Sequence, residues 1–481
     1  MKIGILINSA WPTVGLLDVL GQYFQANGIG VVWLIESRLP VFKHKLSLPG
    51  KHLYLTDFLR DPPEIDYSHY QNKQINHLLF SDFDRSVELR TYQKKKFSDP
   101  NLIPKIIRYF ENSIKEEDLS LILYENVSNT FAYCAYYACQ ELGIKYYGLM
   151  TSRIPGRFEI WEDPFGGIEN LSSSLHTTNS VSPEAEEYLN KLLRRTSAVK
   201  PDYVKHSTID ISYSYVNHYA LKLDLIGRYL AFQFSKNNDL AHSFQTINPY
   251  INATKLLMRN IMRRYNIIKL NKLLERPLRN DEYYIYPLHF HPESSTSVLS
   301  PQYVDEDVLI KNIAFQLPFG KKLYVKDHPQ AVGFKPLDFY ERIRRLPNVR
   351  LIHYAEDVQE LIQKSKGVIT LTSTMGYEAL LLGKAVFCLG DVFYLAHPHC
   401  KKVNTISDLF NHLRNAENYT PNYDYTTNLN FIEAYYKNTY QGSLLTPHTY
   451  MSQGTFSENL VGIGQAILSK YNNQNERIPL H

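Results

Sequence analysis

Short apolar runs alternate with amphipathic stretches through the first third of the chain. Four apolar runs predict buried strands, at residues 3–7, 30–35, 119–124 and 145–150. Residues 130–142 carry Ala, Tyr and Cys at helical spacing and end at Gly143, which predicts a helix. Residues 52–59 and 77–80 are weaker strand candidates. Strands that are apolar throughout and alternate with helices are typical of a parallel sheet covered on both faces.

The pattern changes after residue 181 and then becomes regular. Ser182-Pro183 begins a predicted helix with proline at its first position, and long helical stretches follow at 213–234 and 251–275. Further on, five predicted strands alternate with five predicted helices. The strands lie at 283–288, 322–326, 349–352, 367–371 and 385–389, and the helices at 304–316, 338–345, 357–365, 375–382 and 407–414. Short connections of this kind predict a doubly wound sheet.

These elements predict an α/β protein with two Rossmann-like domains, a helical insert between them and a C-terminal helix, at 457–468, that packs back on the first half. The predicted segments are an N-terminal Rossmann-like domain, a helical insert or linker, a C-terminal Rossmann-like domain, and a helix with a tail, at residues 1–180, 181–280, 281–440 and 441–481. We expect the ligand crevice outside the carboxyl ends of the parallel strands.

Composition narrows the class of protein. The chain has 481 residues, of which 44% are hydrophobic and 21% charged, and this excludes a disordered chain. A formal net charge of +4 does not suggest a protein that binds nucleic acid. Four cysteines without a Cys-x-x-Cys pair indicate reduced thiols. The five-residue apolar run near the N-terminus is too short for a signal-peptide core, and the sequence has no run of 18 apolar residues. We therefore expect a cytoplasmic protein.

Polar residues gather in the loop after the first strand of the second half. His289, His291, Glu293 and Ser294 follow that strand within a few residues. A His-x-His spacing suits a metal, but no third ligand is evident. The alternative is a surface loop rich in turn-forming residues, and we favour a ligand-binding loop.

Two further strand ends carry polar residues. Lys326 and His328 follow the second strand, and a histidine there can donate to a phosphate oxygen; the alternative is a solvated lysine and a packed histidine. After the fourth strand, Ser373 and Thr374 begin a helix, where free N–H groups and the helix dipole favour phosphate. In the same helix, Gly376 permits close approach to the backbone, and Glu378 can accept from a ribose diol. An ordinary capped helix remains the alternative.

Together these runs resemble a known family. Residues 286–296, 326–329 and 372–380 are similar to bacterial capsule and surface polysaccharide biosynthesis proteins, a group that includes Kdo (3-deoxy-manno-octulosonate) transferases that use CMP-Kdo. More distantly, they are similar to GT-B nucleotide-sugar enzymes, including sialyltransferases with a His-Pro motif. The resemblance implies a GT-B-like arrangement in which His328 and the helix start at Ser373 and Thr374 hold the donor phosphate, and Glu378 holds the ribose.

The first half is then expected to bind the acceptor and to supply the catalytic residue. Glu125 ends a strand, where a carboxylate can deprotonate an acceptor hydroxyl or attack an anomeric carbon; the alternative is a charge that the dipole of the next helix stabilises. Five more residues follow strands and are candidates to bind an acceptor or an anion, although packing or surface roles remain open for them: Asn8, Ser9, Trp11, Arg153 and Arg157.

A metal is not expected. Asp82-Phe83-Asp84 is a short Asp-x-Asp motif, which holds metal in other glycosyltransferases, but a GT-B-like enzyme can neutralise a leaving phosphate with a helix dipole, His and Lys. We expect no cofactor besides a nucleotide-sugar donor, which is a co-substrate.

The sequence thus predicts a glycosyltransferase of surface polysaccharide synthesis, acting on a nucleotide sugar and on an oligosaccharide or glycolipid acceptor. A non-hydrolysing nucleotide-sugar 2-epimerase and a catalytically silent sugar-binding subunit of a capsule assembly complex remain alternatives. Residues 251–276 combine seven Lys and Arg with apolar residues and one acid, which is typical of a helix on an anionic membrane surface or of a linker helix. The expected location is therefore the cytoplasm. If residues 251–276 bind lipid, we expect the protein to attach peripherally to the inner face of the cytoplasmic membrane.

Overall fold

A computed structural model describes most of the chain. The described residues are 1–9, 13–89, 92, 97–165, 168, 171–177, 180–194, 223, 226–245, 249–328, 331–414, 424–444 and 453–475. Among the predicted features, Trp11 and most of the helix at 213–234 lie outside these ranges.

The chain forms two compact units, each with its own sheet. Unit 1 comprises Met1–Pro164, Lys200–Ala253 and Lys437–His481, and unit 2 comprises Phe165–Val199 and Thr254–Tyr436. The predicted division into four segments at residues 180, 280 and 440 stays a prediction.

Unit 1 contains a seven-stranded sheet. Its strands, in chain order, are β1 (Lys2–Ile7), β2 (Gly30–Ile35), β3 (Lys51–Tyr54), β4 (Leu121–Glu125), β5 (Lys145–Thr151), β6 (Arg157–Trp161) and β13 (Tyr440–Gln441). The spatial order is β13-β6-β5-β4-β1-β2-β3. Strands β1 to β5 pair in parallel, whereas β6 and β13 are antiparallel additions. The five parallel strands are ordered 3-2-1-4-5, which places the topological switch point between β1 and β4.

Helices cover this sheet. They are α1 (Thr13–Ala26), α2 (Arg38–His44), α3 (Leu55–Arg60), α4 (Phe80–Glu88), α5 (Leu102–Glu117), α6 (Thr130–Leu142) and, near the end of the chain, α17 (Gln453–Asn475). The last helix packs against α1 so tightly that a Cβ at Gly464 would lie 2.2 Å from Cε1 of Tyr23. The prediction that a C-terminal helix packs back on the first half is confirmed.

Unit 2 contains a six-stranded, wholly parallel sheet. Its strands are β7 (Tyr283–Pro287), β8 (Lys322–Lys326), β9 (Val349–Ile352), β10 (Gly367–Thr370), β11 (Val386–Cys388) and β12 (Cys400–Lys402). The spatial order β12-β11-β10-β7-β8-β9 is the doubly wound 3-2-1-4-5-6 order read from its other edge. The switch point therefore lies between β7 and β10, and the predicted α/β class with two parallel-dominated sheets is confirmed.

The helices of unit 2 complete the alternation that the sequence predicts. They are α7 (Leu171–Thr177), α8 (Pro183–Leu193), α9 (Pro249–Leu270, which begins in unit 1), α10 (Ser294–Ser297), α11 (Glu306–Gln316), α12 (Leu337–Arg344), α13 (Val358–Lys364), α14 (Thr374–Leu381), α15 (Ile406–Arg414) and α16 (Tyr425–Lys437). The Ser182 side chain caps α8 by accepting from the N–H of Ala185, with Pro183 at the first position.

Two weaker strand predictions are wrong in whole or in part. Residues 77–80 form a 3-10 turn, Asn76–Leu79, that runs into α4. Only the first part of 52–59 is strand, because α3 begins at Leu55. The four cysteines are free and buried. None of the helices in the described ranges combines the length and apolar character needed to cross a membrane.

Candidate functional site

At the switch point of unit 2, His289 connects the ends of β7 and β10. Its Nδ1 lies 2.9 Å from Oε1 of Glu306, and its Nε2 accepts the backbone N–H of Thr372 at 3.3 Å. Since a carboxylate only accepts, Nδ1 carries the proton and Nε2 is the acceptor. His289 is buried, so its role in this structure is to hold two loops together.

Glu306 is the buried anchor of this connection. Its carboxylate accepts from the Tyr286 hydroxyl at 3.1 Å and from the backbone N–H of His289 at 3.0 Å, and it pairs with Nζ of Lys335 at 2.9 Å. Burial works against ionisation, but Lys335 and His289 outweigh it and hold the pKa of Glu306 well below its usual range. Sequence reasoning missed Glu306 and Lys335, because an acid in the first turn of a helix is typical of dipole stabilisation.

The rest of the first loop is held by its own short helix. Glu293 caps α10 through a capping box with Thr296. His291 lies beside the same residue, with Nδ1 2.9 Å from Oγ1 of Thr296, and Ser294 is the first residue of the helix. The Thr372 hydroxyl donates to the carbonyl of Ser295 at 3.0 Å, which ties this loop to the one after β10.

The end of β8 carries charged side chains that are buried. Lys326 donates from Nζ to the carbonyl of Tyr354 at 2.6 Å, and burial lowers the pKa of Lys326 to about 8. Burial raises the pKa of Asp327 to about 6, although the Tyr340 hydroxyl donates to it. His328 stacks on the ring of Phe290 from the first loop, and burial lowers its pKa, with further lowering by His289 and Lys326.

The loop after β10 begins α14 as the sequence predicts. The Ser373 hydroxyl caps this helix by accepting the N–H of Met375 at 3.2 Å, and Thr374 is its first residue. A Cβ on Gly376 would lie 2.8 Å from the Tyr394 hydroxyl, so the close approach that this glycine permits is to a packed tyrosine. Glu378 follows in the second turn and is half-buried.

The structure thus brings the three predicted loops of unit 2 to one edge of the sheet. His289 links the first loop to the third, and Phe290 links the first to the second. Each loop leaves the carboxyl end of a parallel strand, which is the ligand edge of a doubly wound sheet.

In unit 1, Asn8 and Glu125 lie at the ends of the adjacent strands β1 and β4. The Tyr124 hydroxyl donates to Oδ1 of Asn8 at 2.6 Å. Both carboxylate oxygens of Glu125 accept hydroxyls, Oε2 from Thr13 at 2.7 Å and Oε1 from Ser128 at 2.5 Å. Ser9 follows β1 and is exposed.

A residue far along the chain, Gln245, contacts the same edge of the unit 1 sheet. Its Nε2 donates to Oδ2 of Asp82 at 3.0 Å and to Oδ1 of Asn129 at 3.1 Å, while its Oε1 accepts from Nδ2 of Asn8 at 3.3 Å. Nearby, the Ser243 hydroxyl donates to Oε1 of Glu36, a buried carboxyl whose pKa is raised by burial. No motif marks these residues, since their contacts join segments more than a hundred positions apart.

The other predicted residues of unit 1 are engaged elsewhere. Arg157 begins β6, and its Nε donates to Oγ1 of Thr439 at 2.7 Å. This contact attaches the C-terminal segment to the side of the sheet where β13 pairs with β6. Arg153 is half-buried in the turn between β5 and β6. Asp82 accepts the N–H of Thr130 at 2.8 Å. Within the described ranges, no group of three metal-ligating side chains comes together.

A polar cleft of about 540 Å³ in unit 1 is lined by none of the predicted residues. Its lining includes Arg60, Tyr229, Lys236 and His242.

Comparison with known proteins identifies a matching family model and similar proteins. Residues 179–408 match the model of a family described as capsule polysaccharide biosynthesis protein. Protein FixF of Sinorhizobium fredii is 34% identical over 90 residues, which span 18% of this chain and 20% of that protein. This chain therefore covers about a fifth of the length of that curated relative.

Among solved structures, a β-Kdo 2,7 transferase, KpsC of Thermosulfurimonas dismutans, is similar at 16% identity over 70% of this chain and 83% of that one, with a TM-score of 0.32. The UDP-GlcNAc 2-epimerase of Methanocaldococcus jannaschii is similar at 10% identity over 86% and 92%, with a TM-score of 0.23.

Proposed function

Residues 179–408 match the capsule polysaccharide biosynthesis family, which confirms the resemblance carried by the three motifs, and we propose on that basis that the protein is a glycosyltransferase. It transfers a sugar from a nucleotide donor, of the CMP-Kdo or another class, to a hydroxyl of a glycan or glycolipid. The observation that carries the proposal is the convergence of three polar loops at the switch point of the unit 2 sheet.

The donor binds unit 2 in this proposal. The start of α14 offers its dipole to the donor phosphate, and neutral His328 offers one N–H. Lys326 adds positive charge nearby, because a pKa of about 8 leaves it mostly protonated at neutral pH. Glu378 accepts from the ribose. The helix dipole and Lys326 supply positive charge that a metal would otherwise supply, so we propose a metal-independent enzyme.

The sequence predicts His289, His291, Glu293 and Ser294 as donor-binding residues. In the structure, the contacts of these residues hold the first loop in shape and attach it to Thr372. We therefore assign them to positioning the donor loops.

Unit 1 supplies the acceptor side, with Glu125 as the reacting carboxylate and Asn8 and Ser9 beside it. In a single displacement, Glu125 takes the proton of the acceptor hydroxyl, the oxygen bonds to the anomeric carbon, and the bond to the donor phosphate breaks. In a double displacement, Glu125 attacks that carbon first and the bond to the donor phosphate breaks. The acceptor oxygen then displaces Glu125 from the carbon, and the freed carboxylate takes the acceptor proton. Both routes need the carboxylate ionised and released from at least one hydroxyl partner.

The test begins with ligand binding to the whole chain. Thermal shift with CMP, CDP, UDP and GDP identifies the nucleotide, since a ligand bound only by the native state raises the unfolding temperature. His328→Ala and Glu378→Ala should each weaken the binding of that nucleotide by about 1.5–3 kcal/mol, the scale of one charge-assisted hydrogen bond. Glu360→Ala, which removes an exposed helical glutamate of the same unit, is the matched control.

Turnover of the matching sugar nucleotide then separates the possible functions. Sugar transfer that requires a glycan acceptor supports the proposal. Conversion of the sugar nucleotide without an acceptor would identify an epimerase, and binding without turnover a silent subunit. Unchanged nucleotide affinity in both variants would show that the donor does not bind at this edge of unit 2.

A further inference from the structure

Helix α9 presents apolar side chains to solvent. Met258, Ile261, Met262, Tyr265 and Ile268 are each between 45% and 65% exposed. At 100° per residue, these five fall within an arc of about 120° on the helix surface. We call this stripe the α9 outer face. A contiguous exposed apolar stripe marks an interaction surface more often than a scattered set of single residues does.

The opposite side of α9 is fixed against unit 2. Ile267 and Leu270 belong to the buried core of that unit, and Nδ2 of Asn266 donates to the carbonyl of Gly333 at 3.0 Å. Arg263 donates from Nε to the carbonyl of Val332 at 2.8 Å. Because these contacts hold the inner side in place, the outer face cannot rotate into the core.

Two arginines that the sequence suggests for a charged outer surface are instead part of this packing. The guanidinium groups of Arg259 and Arg263 lie 3.9 Å and 4.4 Å from the ring centroid of Phe334. Changing them would disturb the packing of unit 2 as well as its surface charge, so the membrane test leaves them unchanged.

Other basic side chains lie beside the outer face or, as Lys269 does, within it. Lys255, Arg264, Lys269 and Lys272 are exposed, and residues 249–270 contain no acid. Exposed apolar side chains bordered by cations complement a lipid bilayer with anionic headgroups, because the apolar groups enter the interface and the cations meet the headgroups.

We propose that the α9 outer face docks the protein on an anionic membrane surface. The occupant is the lipid interface itself, and the helix lies in the plane of that interface without crossing it. The proposal does not depend on the enzymatic activity, so the membrane test and the nucleotide test can fail separately.

The experiment is co-sedimentation of the whole chain with phosphatidylcholine vesicles that contain or lack phosphatidylglycerol, at low and high salt. A charge variant changes Lys255, Lys269 and Lys272 to Glu, and an apolar variant changes Met258, Ile261 and Ile268 to Ser. The matched control changes Lys191, Lys311 and Lys364 to Glu, three exposed lysines elsewhere that give the same change in net charge. Unfolding midpoints verify that each variant is folded.

We expect binding that needs phosphatidylglycerol and is released by salt. The charge variant should bind at least about a hundredfold more weakly, because each basic residue near such a surface contributes a factor of about five. The apolar variant should also lose binding, whereas the control triple should lose much less. Absence of binding to anionic vesicles at low salt, or equal binding by wild type and both variants, would overturn the proposal.

A fluorescent probe locates the contact. Ile268→Trp should shift its emission to the blue on anionic vesicles and be quenched by brominated lipid, whereas Phe319→Trp, at another exposed position, should not. Equal responses at the two positions would contradict docking through this face. A dimer in the absence of lipid that the apolar variant abolishes would assign the face to a second copy of the chain and overturn membrane docking.

Discussion

Replacing Glu306 with alanine removes the acceptor on which the switch point of unit 2 depends. The substitution leaves the Tyr286 hydroxyl and two donors of His289 without their carboxylate and takes the counter-charge from Lys335. Removing one partner of a buried ion pair costs about 3–5 kcal/mol. Orphaned buried donors each cost about 1–3 kcal/mol. Lys335 and Tyr286 can recover part of this loss by relaxation, so we expect about 3–5 kcal/mol in total.

The loss should be measured by urea unfolding and located by peptide-resolved hydrogen exchange. Faster exchange should appear in peptides that cover residues 288–297 and 371–376, because His289 can no longer be held to accept the N–H of Thr372. Glu306→Gln, which keeps an acceptor oxygen, should lose less stability.

Glu360→Ala is the control, since the Glu360 side chain forms an exposed helical pair with Lys364, and such pairs contribute about 0.3–0.5 kcal/mol. The reasoning fails if Glu306→Ala unfolds within about 1 kcal/mol of the wild type, or if exchange rises evenly over unit 2 rather than in these two loops.

Three further predictions concern single side chains. The folded-state pKa of Asp327, about 6, lies above the ordinary 3.8, so its contribution to stability is full below pH 3.8 and is lost as the pH rises through 6. Asp327→Asn should therefore gain stability over the wild type by up to about 3 kcal/mol between pH 4 and pH 7, and a pH-independent difference in urea unfolding would contradict this. Glu125→Gln should lower turnover by at least about a hundredfold with little change in donor affinity, and near-normal turnover would leave Glu125 a structural residue. Gly376→Ala should cost about 1–3 kcal/mol through overlap with Tyr394, and a double-mutant cycle with Tyr394→Phe should show coupling between the two positions.

The predicted strands of the two parallel sheets match the structure closely, because a run of neighbouring apolar residues is enough to predict each of them. Gly30–Ile35, Lys322–Lys326 and Val349–Ile352 have the bounds that the apolar pattern predicts. Strands with weak apolar patterns were not predicted. Cys400–Lys402 has two lysines among its three residues, and Arg157–Trp161 begins in a run that resembles a binding loop.

The sequence predicts which residues lie at the candidate site, but it does not predict which contacts their side chains make. Motif spacing placed His289 and Ser373 at strand ends, where the structure has them. The proton on Nδ1 of His289 depends on Glu306, whose burial a helical pattern does not reveal. Gln245 reaches Asn8 across 237 positions, and such a contact is a property of the tertiary fold alone.

Unit 1 includes Lys437–His481 from the end of the chain, with β13 at the edge of its sheet and α17 against α1. A ribosome makes the chain from its N-terminus, so the five parallel strands of unit 1 emerge long before the segment that completes it. During synthesis, unit 2 can fold while β6 still lacks its neighbour β13 and the surface of α1 around Tyr23 is uncovered. A released chain truncated after Tyr436 should therefore hold a finished second unit and a first unit that chaperones still recognise.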